Sequence, residues 1–509
     1  MSKLESAIEI GSTGIRLLVS EINDAGEHSI LDRSDQPVSL GRDVFTSGRI
    51  SRDTLLQCLS ILNRFKEQLA GWNIKPDEVT VFATSAFREA KNRDSILDRI
   101  MVKTGFRVKV IDGIEENRLE YLAVSNRLKE SGFADLEENS IILEAGGGST
   151  EIMLIEHGKI AGAHSMRLGT IIIEQQIKTM MGSMGDARRY ITEFINNTKG
   201  SLNNELDLSK VKQFIAIGID VKLAALFAGR PVSTFLWEIE RVDFDNFVDE
   251  IQNYTPEELI AKYKISYTEA ESLHLNLLVY QLFINLTNVK TIIVPETNLQ
   301  EGIVIAKKTR QNADIQQEFY EQIIASVLNL LHKYNADEKH AQYVRYTSAF
   351  LFDELREELG LEKKARMLLE IAALLHDIGT FISASDHNKH SKYIIEHSEI
   401  FGMNKDDITV VSQIALWHRG SKNMKDDQSF TSLTRELRLT ILKLTAILRI
   451  ADAIDRAHTQ RVHGLKIAFT NDTMTLRTDG THNNVLEKIA ISEKSDLFES
   501  VFGYKVVLM

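Results

Sequence analysis

Two short glycine-containing elbows, each placed between apolar strands, most strongly limit what this chain can fold into. The first is Gly11-Ser12-Thr13-Gly14, between apolar segments 4–10 and 15–22. The second is Gly146-Gly147-Gly148-Ser149, within residues 140–166. A strand, a glycine turn and a returning strand form a hairpin that has to pack against other layers. Because this unit occurs twice, we predict two domains of the same architecture without close sequence repetition.

The segments around the elbows alternate between helical and strand patterns. Residues 51–70, 85–102 and 114–130 have helical spacing, and residues 79–84 and 107–112 resemble strands. After the second elbow come helices at 170–181 and 186–204 and strands at 212–218 and 291–295. This alternation predicts an α/β layer fold.

The character of the sequence changes near residue 314. Long helical patterns follow at 314–333, 336–358, 362–377, 386–398, 404–418 and 431–457. Beyond them, strands are predicted at 461–469, 473–478 and 487–491, with apolar residues again at 501–509. We therefore predict four domains: an α/β pair at 1–127 and 128–310, an all-α domain at 311–458, and a small α+β domain at 459–509.

Composition limits the function. The chain has 509 residues, enough for about three or four domains, and no run of 18 apolar residues that would predict a membrane span. The first residues do not resemble a signal peptide, and the single cysteine, Cys58, is typical of the reducing cytoplasm. The formal net charge of −12 argues against nucleic-acid binding.

The second elbow has the composition of a phosphate-binding loop. Glycines allow the backbone to approach a phosphate and point consecutive N–H groups at it, and Ser149 and Thr150 add hydroxyl donors. A plain hairpin turn is the alternative. Glu9 and Glu144 each lie two residues before the first glycine of an elbow. Carboxylates beside phosphate loops commonly hold Mg²⁺, and a surface or capping role is the alternative.

Four motifs in a fixed order resemble the exopolyphosphatase / guanosine pentaphosphate phosphohydrolase (Ppx/GppA) family. They are IEIGSTGIRLLV (8–19), ATSAFREA (83–90), DGIEENRLEYLAV (112–124) and IILEAGGGSTEI (141–152). The resemblance continues through RLGT (167–170) and QEGIV (300–304) and covers essentially the whole chain. It implies two actin-like (ribonuclease H-like, ASKHA) domains in the first 310 residues.

The resemblance also implies roles for particular residues. Glu116, the second acid of the Glu115-Glu116 pair, would be the general base, and Arg88 would hold a phosphate. Alone, the acid pair would suit any helix N-terminus. Phosphate would bind at both elbows, and Mg²⁺ or Mn²⁺ would be held by the carboxylates that adjoin them. The phosphate ligands are Gly11, Ser12, Thr13, Gly146, Gly147, Gly148, Ser149 and Thr150, and the metal ligands are Glu9, Glu144 and Glu151.

The sequence departs from the family pattern at several of these positions. Glu9 and Glu144 stand where the family has aspartate, and Thr13 and Gly14 change the first elbow. After the strand at 212–218, Ile219 and Asp220 replace small residues of a loop that would face a nucleotide. This last change argues against a kinase of the same superfamily.

A second set of residues resembles the HD-type phosphohydrolases. His376 and Asp377 end a helix before Gly379, with further histidines on either side and Asp452 in LRIADAIDR (448–456). The resemblance implies an HD-like domain, and histidine with carboxylate suits a divalent transition metal. Core packing, or a substrate-binding scaffold without metal, is the alternative. The candidate ligands are His340, His376, Asp377, His390, His418 and Asp452.

From these features we predict an exopolyphosphatase that releases terminal phosphate by Mg²⁺-assisted attack of water. Hydrolysis of guanosine pentaphosphate is the alternative within the family, and a non-catalytic phosphate sensor is the alternative from another class. The resemblance further implies a homodimer. No membrane or nucleic-acid partner is expected.

Overall fold

In a computed structural model, the chain divides into two units, Met1–Gln322 and Ile323–Met509. The structure describes residues 3–23, 28–133, 136, 138–179, 184–309, 313–356, 360–420, 424–479 and 484–509. None of the helices in these parts of the chain combines the length and apolar character that a membrane crossing requires. The finer division into four domains stays a prediction.

The first unit begins with a five-stranded sheet in the order β3-β2-β1-β4-β5. Apolar side chains of β1 and β2 pack against α2, whose inner face carries Leu55, Leu62 and Phe65 at helical spacing. Its elements are β1 Lys3–Ile10, β2 Gly14–Ile22, β3 His28–Pro37, α1 Leu40–Ser47, α2 Arg52–Gly71, β4 Thr80–Ala83, α3 Ser85–Glu89, α4 Arg93–Thr104, β5 Val108–Val110 and α5 Gly113–Glu130.

The helix predicted at 85–102 is two helices, α3 and α4. Between them, the Asn92 side chain accepts a hydrogen bond from Ile50 N–H at 3.0 Å and donates one to Ile50 O at 2.9 Å. An asparagine that pairs with a distant backbone in this way competes with helix continuation. The short helix α3 therefore follows β4 as a separate element and ends before α4 begins.

The second sheet of this unit has seven strands in the order β10-β11-β12-β9-β6-β7-β8. Its strands are β6 Ser140–Ala145, β7 Thr150–Glu156, β8 Lys159–Met166, β9 Gln213–Ile217, β10 Arg230–Ser233, β11 Leu236–Glu240 and β12 Thr291–Pro295. Its helices are α6 Thr170–Thr179, α7 Met184–Glu205, α8 Ile219–Ala228, α9 Arg241–Ile251, α10 Pro256–Tyr263, α11 Tyr267–Ile284 and α12 Leu299–Thr309.

The two predicted elbow hairpins occupy equivalent places in the two sheets. β1 pairs antiparallel with β2 and parallel with β4, and β6 pairs antiparallel with β7 and parallel with β9. The predicted duplication of architecture is confirmed at this level. Strands β3, β10 and β11 were not predicted, because their polar, partly exposed sequences lack a clear apolar alternation.

The second unit is mainly helical up to residue 454. Helix α13, Ala313–Lys333, contains the division between the units, and the following helices are α14 Glu338–Glu354, α15 Lys363–Leu375, α16 His387–Glu396, α17 Lys405–Trp417, α18 Gln428–Thr431 and α19 Arg435–Ile454. The predicted all-α character of this stretch is confirmed. The ends of the helices predicted at 170–181 and 336–358 fall at 180–181 and 357–358, outside the described residues.

A three-stranded sheet ends the chain, in the order β13-β14-β15. Its elements are β13 Lys466–Phe469, β14 Thr473–Arg477, α20 Val485–Lys494, α21 Asp496–Phe502 and β15 Lys505–Leu508. The strand predicted at 487–491 is wrong, because these residues belong to α20. Glu487, Ala490 and Ile491 are buried while Ile489 is exposed, a spacing that fits a helix and not a strand.

Candidate active site

The two elbows have the same backbone construction. Gly11 N–H donates to Gly14 O at 2.9 Å, and Gly146 N–H donates to Ser149 O at 2.8 Å. The residues flanking each turn are also equivalent, because Glu9 lies opposite Arg16 and Glu144 lies opposite Glu151 in the strand registers. One hairpin therefore places a carboxylate opposite a cation, and the other places two carboxylates opposite each other.

The tips of the two elbows approach each other closely. A Cβ atom built on Gly147 would lie 3.1 Å from Thr13 Cγ2 and 3.4 Å from Ser12 Cβ. Ser12 Oγ is hydrogen-bonded to Ser85 Oγ at 2.8 Å, which fixes the first elbow against the start of α3. The absence of a side chain at Gly147 is thus what allows the two tips to lie this close together.

Backbone donors are available at both tips. Among the hydrogen bonds of the described residues, none has the N–H of Ser12, Thr13, Gly147 or Gly148 as its donor. Backbone N–H groups are nearly always paired in folded proteins, and clustered unpaired ones commonly bind anions. These four donors are what a phosphate between the elbows requires.

Arg88 and Glu116, predicted as a phosphate ligand and as the general base, are in direct contact. Arg88 Nη1 donates to Glu116 Oε1 and also, at 3.1 Å, to Ile111 O. The interaction connects α3 with the first turn of α5. Arg88 also interacts electrostatically with Glu151, so its guanidinium lies between the acids of α5 and β7.

Two other predicted residues have their side chains engaged elsewhere. Glu115 forms a bidentate ion pair with Arg118, with both N–O distances at 2.7 Å. Thr150 is fully buried, and its hydroxyl donates to Leu168 O at 2.5 Å. The side chains of Glu115 and Thr150 therefore make structural contacts. Of the two neighbouring acids Glu115 and Glu116, Glu116 is the one that contacts Arg88.

A fourth glutamate, Glu120, joins Glu9, Glu144 and Glu151. It lies one turn beyond Glu116 on α5, is 2% exposed, and neither carboxylate oxygen has a hydrogen-bond partner among the described residues. The charges that act on it are those of Glu144, Glu151 and Glu9. Sequence reasoning missed this residue, and its only signal was its spacing of four residues from Glu116.

Burial and mutual repulsion disturb the protonation of this cluster. Burial, followed by the Glu144 carboxylate, holds the pKa of Glu120 well above its usual range. Burial raises the pKa of Glu151 to about 7, against hydrogen bonds from Ser149 and Ser165 and the charge of Arg88. Burial also raises the pKa of Glu9, which Arg16 opposes through an ion pair at 3.0 Å. Such a group of acids favours either protons or a bound cation.

The cluster suits Mg²⁺ bound through few direct ligands. All of its donors are carboxylate oxygens, the ligand type Mg²⁺ prefers, and those of Glu120 are buried without partners. Among the described residues, the only sets of three ligand atoms within 4.8 Å of one another lie in the second unit. Mg²⁺ commonly keeps several waters and is held by one or two carboxylates together with substrate phosphates, so it does not require three protein ligands.

The predicted ligands of the second unit come together, with one exception. His340 on α14, His376 and Asp377 after α15, His418 after α17 and Asp452 on α19 form overlapping groups of candidate ligands. His390 belongs to none of these groups among the described residues. Three residues earlier on α16, His387 takes that place, with Nε2 at 3.0 Å from Asp377 Oδ1.

Comparison with known proteins agrees with this geometry. The Ppx/GppA phosphatase family matches residues 18–311, and domain III of the Ppx/GppA phosphatases matches residues 324–498. A guanosine-5'-triphosphate,3'-diphosphate pyrophosphatase of Photobacterium profundum is 23% identical over 527 residues, covering 100% of this chain and 98% of that protein. A protein of the same name from Aeromonas hydrophila is 23% identical and covers 93% of this chain and 92% of its own length.

Solved structures share the fold. An exopolyphosphatase from Cytophaga hutchinsonii superposes with a TM-score of 0.54 at 19% identity, covering 60% of this chain and 98% of that one. A Ppx/GppA family member from Aquifex aeolicus gives a TM-score of 0.51 at 23% identity, covering 61% and 99%. These structures confirm the predicted layered α/β fold for about three fifths of the chain, and its assignment to the actin-like class stays a prediction.

The α/β fold and the two family matches define a phosphatase. The chain belongs to the Ppx/GppA phosphatase family, whose members hydrolyse phosphoanhydride bonds.

Proposed function

We propose that this phosphatase releases terminal phosphate from inorganic polyphosphate in the space between its two elbows. The observation that carries the proposal is a group of four backbone N–H groups, at Ser12, Thr13, Gly147 and Gly148, that donate no hydrogen bond to any described residue. They lie on elbow tips that approach each other closely. A terminal phosphoryl group fits this place because it presents several oxygens to donors on both sides.

Glu116 is the proposed general base. Its carboxylate contacts Arg88, whose positive charge favours the ionised form that accepts a proton from water. Once a phosphoryl group binds, the Arg88 guanidinium can also donate hydrogen bonds to the phosphate oxygens. Ion pairing to Arg88 would thus hold Glu116 in position until substrate arrives.

The carboxylates of Glu144 and Glu151, with Glu120 beside them, are proposed to hold Mg²⁺ or Mn²⁺. A divalent ion there supplies charge stabilisation to the developing phosphate oxygens. Glu9 contributes less directly, because its carboxylate is paired with Arg16.

Guanosine pentaphosphate is the second candidate substrate. The observation in its favour is that two curated relatives named for this activity align over nearly their whole length. Both substrates end in a phosphoanhydride, so the elbows serve either one. Membership of a family of phosphatases favours turnover over the non-catalytic sensor.

A substrate panel tests the proposal. Phosphate release is measured with polyphosphate, guanosine pentaphosphate and ATP in the presence of Mg²⁺ or Mn²⁺, using the Glu116→Gln protein as the inactive reference. Release from polyphosphate with the highest kcat/KM supports the proposal. A higher kcat/KM on guanosine pentaphosphate assigns the second candidate, and no release from either substrate contradicts both.

A further inference from the structure

We infer that Glu301 is a positioning residue for phosphate release, because it fixes α5, the helix that carries Glu116 and Glu120. Glu301 belongs to the motif QEGIV (300–304) in the first turns of α12, to which the proposed mechanism gives no role. The inference rests on the proposed function, since it concerns the placement of Glu116 as general base.

The backbones of α12 and α5 meet at Gly302, the residue after Glu301. A Cβ atom built on Gly302 would lie 2.8 Å from the Leu119 carbonyl carbon and closer still to the Leu119 oxygen. Only glycine allows the two helices to approach this far. Leu119 lies within one turn of both Glu116 and Glu120, so a displacement of α5 at this contact moves both acids.

Glu301 holds the same helix at a second point, near its C-terminal end. Glu301 is 1% exposed, and its Oε2 atom accepts a hydrogen bond from Arg127 Nη2 at 2.7 Å. Leu119 and Arg127 are eight residues apart in α5, which is about 12 Å at 1.5 Å per residue. Two contacts at this separation fix the tilt of α5 as well as its distance from α12.

The Arg127 guanidinium is itself held on several sides. Nε donates to Glu296 O at 3.1 Å, Nη1 donates to Glu130 Oε2 at 2.9 Å, and the group lies over the Phe235 ring, 4.6 Å from its centroid. Phe235 directly precedes β11 and Glu296 directly follows β12. Arg127 therefore ties the end of α5 to the second sheet.

The other oxygen of the Glu301 carboxylate reaches the first sheet. Oε1 contacts Arg33 Nη2 on β3, and Arg33 Nη1 lies 3.2 Å from Glu296 Oε1. Glu301 thereby connects α5 and α12 with residues of both sheets. Because each sheet carries one elbow, after β1 or after β6, this network fixes α5 relative to both elbows.

Placement is the contribution expected of such a network. Guanidinium groups engage both oxygens of Glu301, and their planar forks set direction as well as distance. Apolar residues of similar volume often replace a buried ion pair without loss of stability, so merely covering α5 would not require charge. Removing Glu301 alone leaves buried positive charge without its partner, and α5 is then free to shift.

Hydrogen–deuterium exchange of the full-length protein tests whether Glu301 holds α5. In Glu301→Gln, the amides of residues 116–130 should exchange at least ~10-fold faster, because one partner of a buried ion pair is lost. Amides of α2 should keep their rates, which excludes a general loss of stability. Unchanged exchange in α5 of the folded variant would overturn the inference, whether or not the proposed function stands.

Glu130→Gln is the matched control. It removes a carboxylate from the same arginine, Arg127, but from a position that is 42% exposed. Exchange in α5 and turnover should both stay near those of the unaltered protein. An effect equal to that of Glu301→Gln would mean that any change at Arg127 loosens α5, and would refute the particular role of Glu301.

Steady-state phosphate release tests whether this placement serves the reaction, with the substrate of highest kcat/KM. Glu301→Gln should lower kcat at least ~10-fold and leave KM within about twofold, because a shift of about 1 Å in a catalytic group can cost 10²-fold while the elbows stay intact. Gly302→Ala should give the same pattern. Gly200→Ala, on α7 with no atom within 4 Å of a Cβ, is its control and should be normal.

A positioning residue acts only through the group that it positions. In the Glu116→Gln background, Glu301→Gln should therefore change kcat by no more than about twofold, since coupled residues are not additive. A further fall as large as in the unaltered background would overturn the inference. Near-normal turnover in Glu116→Gln alone contradicts the proposed base and leaves Glu301 no group to position, whereas normal kcat in Glu301→Gln with an impaired Glu116→Gln contradicts this inference alone.

Arg33→Gln keeps the test available if Glu301→Gln fails to fold. Arg33 is partly exposed on the edge strand β3, and its loss leaves the pair of Glu301 and Arg127 in place. Exchange in α5 and kcat should change in the same directions as in Glu301→Gln, by a smaller factor, with KM kept. Unchanged exchange together with unchanged kcat in Arg33→Gln would then overturn the inference.

Discussion

Arg88 and Glu116 form an ion pair that joins the short helix α3 to the first turn of α5. The same guanidinium also donates to Ile111 O, the carbonyl that immediately precedes the capping residue of α5. Arg88 therefore holds the Glu116 carboxylate against the backbone that leads into α5. Glu115, its neighbour in sequence, is instead held by Arg118 on the same helix.

This difference predicts opposite results for two neighbouring substitutions. Glu116→Gln should lower kcat by at least ~10²-fold with little change in KM, because a general base typically contributes 10²–10⁴-fold to the rate. Glu115→Gln is the matched control and should change kcat far less. Steady-state phosphate release measures both, and near-normal turnover in Glu116→Gln would remove that residue from the mechanism.

The close approach of the two elbow tips predicts a loss of phosphate binding when a side chain is added at Gly147. Gly147→Val places methyl groups where Thr13 Cγ2 and Ile171 Cδ1 already lie 3.1 Å from a Cβ atom, and so fills the place of the phosphate. Polyphosphate binding to the folded variant, measured by calorimetry, should be lost. Gly200→Ala, at a glycine with no atom within 4 Å of a Cβ, is the control and should bind normally.

The sequence was sufficient to predict both elbows because glycine turns between apolar strands are local patterns. The position of Glu120 depends instead on how α5 packs against β7 and β8, and a helical period alone does not show which acids of a polar helix turn inward. Which of His387 and His390 contacts Asp377 likewise depends on tertiary packing. Both lie on α16 three residues apart, and only the tertiary position of Asp377 distinguishes them.

The remaining errors also have local causes. Residues 487–491 are apolar enough to resemble a strand, and the helical arrangement of Glu487, Ala490 and Ile491 becomes clear only with their burial. Strand β3 contains Arg33, Asp35 and Gln36 and reads as a loop, yet it pairs along β2 at the edge of the sheet. Edge strands tolerate such polar residues because one of their sides meets solvent.

Glu120 predicts a link between Mg²⁺ and stability. Its carboxyl group is buried among three other acids, which raises its pKa. Because this carboxyl ionises more readily in the unfolded chain than in the fold, the metal-free fold loses stability as the pH rises. Glu120→Gln should therefore raise the unfolding temperature in chelator at pH 8, and should reduce the further rise on adding Mg²⁺. Differential scanning calorimetry measures both effects. The exposed Glu67→Gln should show neither change, and an equal Mg²⁺ response in Glu120→Gln would contradict the prediction.

Asp220 predicts a pH-dependent gain of stability on substitution. Burial, opposed by a hydrogen bond from Asn276, raises the pKa of this carboxyl from 3.8 to about 6. The protonated form is favoured in the folded state, so its contribution to stability is full below about pH 4 and is lost as the pH rises through 6. Asp220→Asn keeps an oxygen for the Asn276 amide and cannot ionise.

The variant should accordingly match the unaltered protein near pH 4 and exceed it at pH 8, by up to about 3 kcal/mol at 1.36 kcal/mol per pKa unit. Thermal unfolding followed across this pH range measures the difference. Asp98→Asn, at an exposed carboxyl of α4, is the control and should show no such trend. A gain that is independent of pH would mean that packing around Asn276, and not the buried charge of Asp220, governs the stability of this position.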